Sequence, residues 1–197
     1  MKYFIEMTAA IATIIGVVIA VVALWVAYVE FNDAKQADRV NATLAYITRY
    51  KSDPLMTMTQ RFNALLDEAD AQKLITNHGD AASWQKNTTA ITKKYALETV
   101  VITLSDFFDE LYICYNTGIC DFNLGIMLVG DDDIQTFYVW NMGLLAELNK
   151  GSYPRLGCGL MALYNAEKPR LAAQRTGQTV GTTRVSLDKD ACPAIAS

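Results

Sequence analysis

The sequence predicts an all-α fold: one N-terminal transmembrane helix, a small helical domain with a central αα-hairpin, and an extended C-terminal tail. Three observations carry this expectation. Residues 1–29 contain only five residues outside the hydrophobic set, namely Lys2, Glu6, Thr8, Thr13 and Gly16. Apolar residues then recur at helical spacing through most of 53–149. The last two dozen residues are rich in Thr, Gly and Ser and carry no such period. The 197-residue chain is 52% hydrophobic and 19% charged. Without its first 29 residues it is about 46% apolar, an ordinary globular composition.

The first element is the membrane helix, expected within residues 1–30. Met7 to Val29 is a run of 23 residues without a formal charge. As a helix it spans roughly 35 Å, enough for a hydrocarbon core of about 30 Å. Its many β-branched residues suit a helix in lipid, where the helix is the single-segment way to satisfy every backbone group. Tyr3, Trp25 and Tyr28 fall near the two ends, as aromatic belts prefer. A removable signal peptide has a shorter apolar run and a small-x-small cleavage site. This run instead closes on Leu24, Trp25, Val26 and Tyr28. Ala12, Gly16 and Ala20 lie four apart, a row that lets another helix approach closely. Lys35, Arg39, Arg49 and Lys51 follow the exit against Lys2 on the other side, so basic-residue counting places the domain in the cytoplasm.

The following elements continue in order. Residues 31–52 lack Pro and Gly, and Val40, Leu44, Ile47 and Lys51 suggest a juxtamembrane helix continuous with the anchor. The domain proper is expected over 53–175. Asp53 followed by Pro54 reads as N-cap and first position of a helix with the stripe Leu55, Met58, Phe62, Leu65, Leu66 and Ala69, closing near Leu74. A long helix starts somewhere between Ala81 and Lys94 and is firm from Tyr95 to Tyr115. Its wide face is Leu97, Val100, Val101, Leu104, Phe107, Phe108, Leu111 and Tyr112, with Asp106, Asp109 and Glu110 on or beside the solvent side. Asn116-Thr117-Gly118 is a stop signal, after which Asp121 caps a short helix to about Leu128. Asp131-Asp132-Asp133 opens a helix to about Asn149, and a last helix falls between Leu156 and Gln174. Residues 176–197 form the tail.

Chemistry is sparse. Net charge is −4, without the clustered Lys and Arg that phosphate binding needs, so no nucleic-acid partner is expected. The single histidine, His78, sits in a polar loop with no ligand constellation around it. Asp131–Asp133 lacks the alternating ligands, glycine and distal Glu of a calcium loop, and acids before a helix suit its dipole. No P-loop, GxGxxG or GxSxG occurs. Catalytic, cofactor and metal residues are therefore expected to be none, and no cofactor is expected. The four cysteines, Cys114, Cys120, Cys158 and Cys192, have no zinc or haem spacing. Pairing Cys114 with Cys120 and Cys158 with Cys192 is expected if the domain is exported; buried or free thiols are expected if it is cytoplasmic.

Leu104-Ser105-Asp106-Phe107-Phe108-Asp109-Glu110-Leu111, then Gly118-Ile119, Asp121 and a helix containing Trp140, resemble an uncharacterised bacterial family of single-pass membrane proteins. Members carry an aromatic-acidic helix, a Gly turn and a downstream Trp in a C-terminal helical domain. The resemblance covers about residues 1–150, includes the Ser52-Asp53-Pro54 helix start, and implies no activity. An acid before a long apolar helix and two cysteines near the C-terminus also resemble type IV pilins. Here no Gly precedes Phe4, and no strand pattern follows.

The function expected from these features is a non-catalytic, membrane-anchored subunit or scaffold. Its partners are the lipid bilayer and a membrane protein or second copy met through the transmembrane helix. The alternatives are a pilin-like exported assembly protein and a thiol-dependent membrane enzyme.

Overall fold

The computed structural model describes residues 2–76, 79–151 and 153–175, without the side chains of 2–15, 131–132 and 169–175. Among the described residues the secondary structure is entirely helical. The elements are α1 (Lys2–Tyr50), α2 (Leu55–Leu66), α3 (Ala69–Thr76), α4 (Ala81–Lys94), α5 (Glu98–Asn116), α6 (Phe122–Val129), α7 (Asp131–Asn149) and α8 (Cys158–Arg175). The tail expected at 176–197 lies outside the described residues. The chain divides into two units, the first being Met1–Asn41 and the second beginning at Ala42.

The first unit is helix throughout its described length, and its side chains from Gly16 to Phe31 are exposed. The second unit takes the last turns of α1. Its inward face there is Thr43, Ile47 and Tyr50, rotated from the row Val40, Leu44, Ile47 and Lys51 that spacing alone suggests. Leu44 is exposed because Thr43 turns inward, where its Oγ1 accepts a hydrogen bond from the Asp121 backbone N–H at 2.8 Å. Tyr50 stacks on Phe107 with ring centroids 5.2 Å apart.

Two helices are shorter than their apolar patterns imply. The stripe from Leu55 breaks after Leu66, giving α2 and α3, and Ala69 is exposed while Ala71 is buried. Gln72 Nε2 donates to the Leu66 carbonyl at 2.7 Å, taking an acceptor that the break exposes. The second break falls at Tyr95-Ala96-Leu97, between α4 and α5. Ala96 has φ +54°, the Leu97 N–H donates to the Thr92 carbonyl and the Ala96 N–H to that of Lys93. These are the two bonds of a Schellman helix stop. Glycine usually occupies its left-handed position, so an alanine there gives no warning. The same motif ends α5 at Gly118, φ +73°, with Ile119 N–H donating to the Cys114 carbonyl.

The eight apolar residues expected on the wide face of α5 are all buried. Around them α2 contributes Phe62, α7 Phe137 and Trp140, and α8 Leu160 and Leu163. Phe62 meets Phe137 edge-on at 5.0 Å, and Phe108 meets Phe137 at 5.8 Å. The closest pairings join helices distant in sequence, α4 with α7 and α5 with α8, so the centre is more interleaved than a hairpin of consecutive helices. Trp84 Nε1 donates to the Val139 carbonyl at 3.3 Å and Trp140 Nε1 to Thr92 Oγ1 at 3.2 Å, binding α4 to α7.

Both close pairings depend on a glycine. A Cβ at Gly143 of α7 would lie 2.7 Å from the Gln85 carbonyl oxygen of α4. A Cβ at Gly159 of α8 would lie 2.7 Å from Asp109 Cα of α5. Backbone atoms cannot yield as side-chain ends do, so the helices must separate to admit a methyl group. Helix propensity alone favours Gly→Ala by about 1 kcal/mol, whereas overpacking costs typically about 1–3 kcal/mol. Thermal unfolding of the detergent-solubilised chain is expected to show Gly143→Ala and Gly159→Ala melting several degrees below the parent. Gly16→Ala, whose added Cβ meets nothing within 4 Å, should leave the melting temperature of the domain unchanged. A rise for the first two would remove the close-approach reading.

Candidate functional site

Three features merit consideration as sites: the apolar stretch of α1, the cysteines, and a groove beside α5. In the first, one helix among the described residues is long and apolar enough to cross a membrane, and its apolar stretch is not buried. Gly16 and Ala20 lie on its exposed surface, and space around Gly16 is open. The Ala12 side chain, third in the expected row, lies outside the described residues. Trp25, Tyr28 and Phe31 are exposed, and Lys35 Nζ sits 5.5 Å from the Phe31 ring centre, where an ammonium gains from the aromatic face.

Cys114 and Cys120 form a disulfide across the turn that ends α5, with Cα atoms 5.2 Å apart. Both are buried. Cys158, the first residue of α8, is disulfide-bonded as well, and no described cysteine is a free thiol. Cys192 lies outside the described residues, as does His78. A thiolate nucleophile at 114, 120 or 158 would need a bond to be reduced first. Asp131–Asp133 occupy the first turn of α7 behind Gly130, which stands at the N-cap with no side-chain cap bond. No cluster of three metal-ligating side chains occurs among the described residues. The described residues also hold no strand, so the sheet of a pilin body is not found in them.

The groove has no local sequence pattern, and Asp109 is expected on or beside the solvent side of α5. The carboxylate instead lies under the start of α8. Its Oδ2 accepts from the Gly157 N–H at 2.8 Å and its Oδ1 from the Leu160 N–H at 3.0 Å, with the Gly159 N–H a further donor. Asp109 is thus the N-cap of α8, supplied by another helix. Helix-first amides have no partner within their own helix, so a carboxylate here satisfies them and also favours the dipole. Only tertiary packing brings residues 109 and 159 together, which is why no local signal marks the pair.

Beside this cap, Asp106, Asp109, Glu110, Ile113, Tyr153 and Arg155 border a shallow groove of about 690 Å³. Glu110 is paired with Arg49 at the surface. Arg155 holds φ +80°, a left-handed position in the loop that leads into α8. Burial raises Asp109 to about 6, against the opposing pull of its three N–H donors. Asp106 is also raised, first by burial and then by the Glu110 charge. Glu167 is a second acid that sequence reading did not single out; it is 1% exposed on α8. The Tyr115 hydroxyl nearby is pushed up by burial and by the charges of Asp121 and Glu167. Of these acids, Asp109 holds the start of α8 in place through its backbone N–H donors.

Comparison with known protein families, curated proteins and solved structures finds no match.

The cap makes a signed prediction. Asp109 titrates near 6 in the folded chain, and in the ordinary carboxylate range of about 4 when unfolded. Between these values the folded state binds more protons, so this group's contribution to stability falls as pH rises from about 4 to 6. Asp109→Asn removes that titration while leaving one acceptor oxygen for several N–H groups. Urea unfolding is expected to show the variant less stable at pH 4, with the deficit shrinking by up to about 3 kcal/mol by pH 7. A deficit that does not change with pH would contradict a raised Asp109.

Proposed function

We propose that the chain is a non-catalytic, single-pass membrane-anchored subunit or scaffold that binds protein partners in or at the membrane. The observation that carries this reading is the exposed apolar length of α1, which nothing in the described chain covers. An exposed apolar surface of this size is stable in lipid or against a partner and unfavourable in water. The row of Gly16 and Ala20, with Ala12 one step earlier in sequence, offers the close approach that helix pairing in lipid uses. The layout that resembles the uncharacterised bacterial single-pass family fits the same role.

The domain lies on the oxidising side of the membrane in this proposal. Structural disulfides persist outside the reducing cytoplasm, and every described cysteine is bonded. Basic-residue counting points the other way, but its margin is small. Arg49 is engaged with Glu110 on the domain surface, and Lys35 with the Phe31 ring. The bonded cysteines support the oxidising side in this reading.

Capture of the tagged chain from its native membranes in mild detergent is expected to recover a partner or a second copy in fixed proportion. Gly16→Ile should reduce that recovery without lowering the melting temperature of the domain. Recovery of isolated monomer alone would overturn the scaffold reading. Sidedness has its own readout: alkaline phosphatase fused after residue 197 needs disulfides to fold, so it should be active. An inactive fusion at normal expression would place the domain in the cytoplasm.

A further inference from the structure

A pocket of about 160 Å³ lies between the end of α1, α2, α5 and the start of α7. Four of the side chains that line it are buried aromatic rings: Tyr50, Phe62, Phe108 and Phe137. Three exposed polar side chains, Asn63, Asp133 and Thr136, line it as well. The rings turn from one to the next. The planes of Phe62 and Phe137 meet at 71°, those of Phe137 and Phe108 at 45°, and those of Phe108 and Tyr50 at 51°. Such tilts around a shared space are those of an aromatic cage rather than of a stack, and a ring face carries negative potential. Asp133 supplies the only formal charge among the described residues that line the pocket. It lies close enough for that charge to act on the Tyr50 hydroxyl.

We propose that this pocket binds a small organic ammonium ion from solution, its head against the Tyr50, Phe62, Phe108 and Phe137 rings and beside the Asp133 carboxylate. Size sets the first limit. Drug-sized ligands fill pockets of roughly 300–1,000 Å³, whereas a cavity of about 150 Å³ takes a guest the size of benzene. Charge sets the second. An anion is repelled by Asp133 and by the ring faces, and a neutral apolar guest gains from the rings alone. An alkylammonium gains from both, through methyl groups on the rings and a positive charge near the carboxylate. The Asn63 amide and the Thr136 hydroxyl can hydrogen-bond a hydroxyl or N–H that the ligand carries. This binding is separate from the apolar run of α1 and goes beyond the scaffold role.

The test is an NMR titration of the full chain with isotope-labelled Phe rings, in a maltoside detergent, which carries no ammonium group. Choline is the probe. It is expected to shift the ring signals of Phe62, Phe108 and Phe137 saturably in the millimolar range, where so small a ligand binds. Dimethylbutanol, its neutral isostere with carbon in place of nitrogen, should bind about tenfold more weakly. Asp133→Asn, a surface change, should weaken choline about tenfold while leaving the melting temperature of the domain unchanged. Absence of a saturable shift would overturn the proposal. Equal binding of the two probes, or undiminished choline binding by Asp133→Asn, would overturn it too, since the pocket would then take any apolar guest. Glycerophosphocholine carries the same head beside a phosphate, which Asp133 opposes, and should bind more weakly than choline. Tighter binding of it would overturn the free ion as ligand in favour of a lipid headgroup.

Discussion

The contact between α5 and α8 is the constraint on which the rest of the domain depends. Gly159 has no side chain, so the backbone of α8 settles against Asp109 Cα. Only at that distance can the Asp109 carboxylate reach the amides of Gly157, Gly159 and Leu160. The two effects require each other. A bulkier residue at 159 would pull the amides away from their acceptor, and a shorter or apolar residue at 109 would leave buried N–H groups unpaired, each costing roughly 1–3 kcal/mol. With the start of α8 held there, Leu160 and Leu163 complete the core.

A second glycine, Gly143, repeats the device between α7 and α4. Trp84 and Trp140 meet edge-on at 5.8 Å and send their N–H groups across that pairing. The surface ion pairs Arg49–Glu110, Lys93–Glu147 and Lys94–Asp70 connect elements as well, but exposed pairs contribute little. Close backbone approach and aromatic packing hold this domain, with charge used sparingly and mostly to cap.

The fold class, the apolar face of α5, the Gly118 stop and the Asp121 cap were legible in the sequence because each has a local signature. Asp121, for example, accepts from the Leu124 N–H at 2.9 Å, the bond that an Asp before a helix implies. What escaped has no local signature. The Ala96 stop uses a residue that is ordinarily a strong helix former. The inward turn of Thr43 is set by a partner 78 residues away. Asp109 belongs by spacing to the polar side of α5, and only the arrival of α8 converts that side into an interior. The candidate sites divide the same way: the exposed run of α1 and the cysteine positions could be read directly, but the cap and its groove could not.

The proposed scaffold role rests on the exposed apolar surface of α1. Asp80, Asp109 and Asp121 satisfy helix-first amides, the described cysteines are cross-links, and α1 carries a long exposed apolar run. The proposed role requires that this surface be kept in lipid. Alkaline carbonate extraction of cell membranes, followed by intact-mass measurement of the chain in each fraction, tests this most directly. The chain is expected to stay with the lipid pellet, and its mass to still include residues 7–29. A chain released into the supernatant, or one trimmed of that segment, would contradict it.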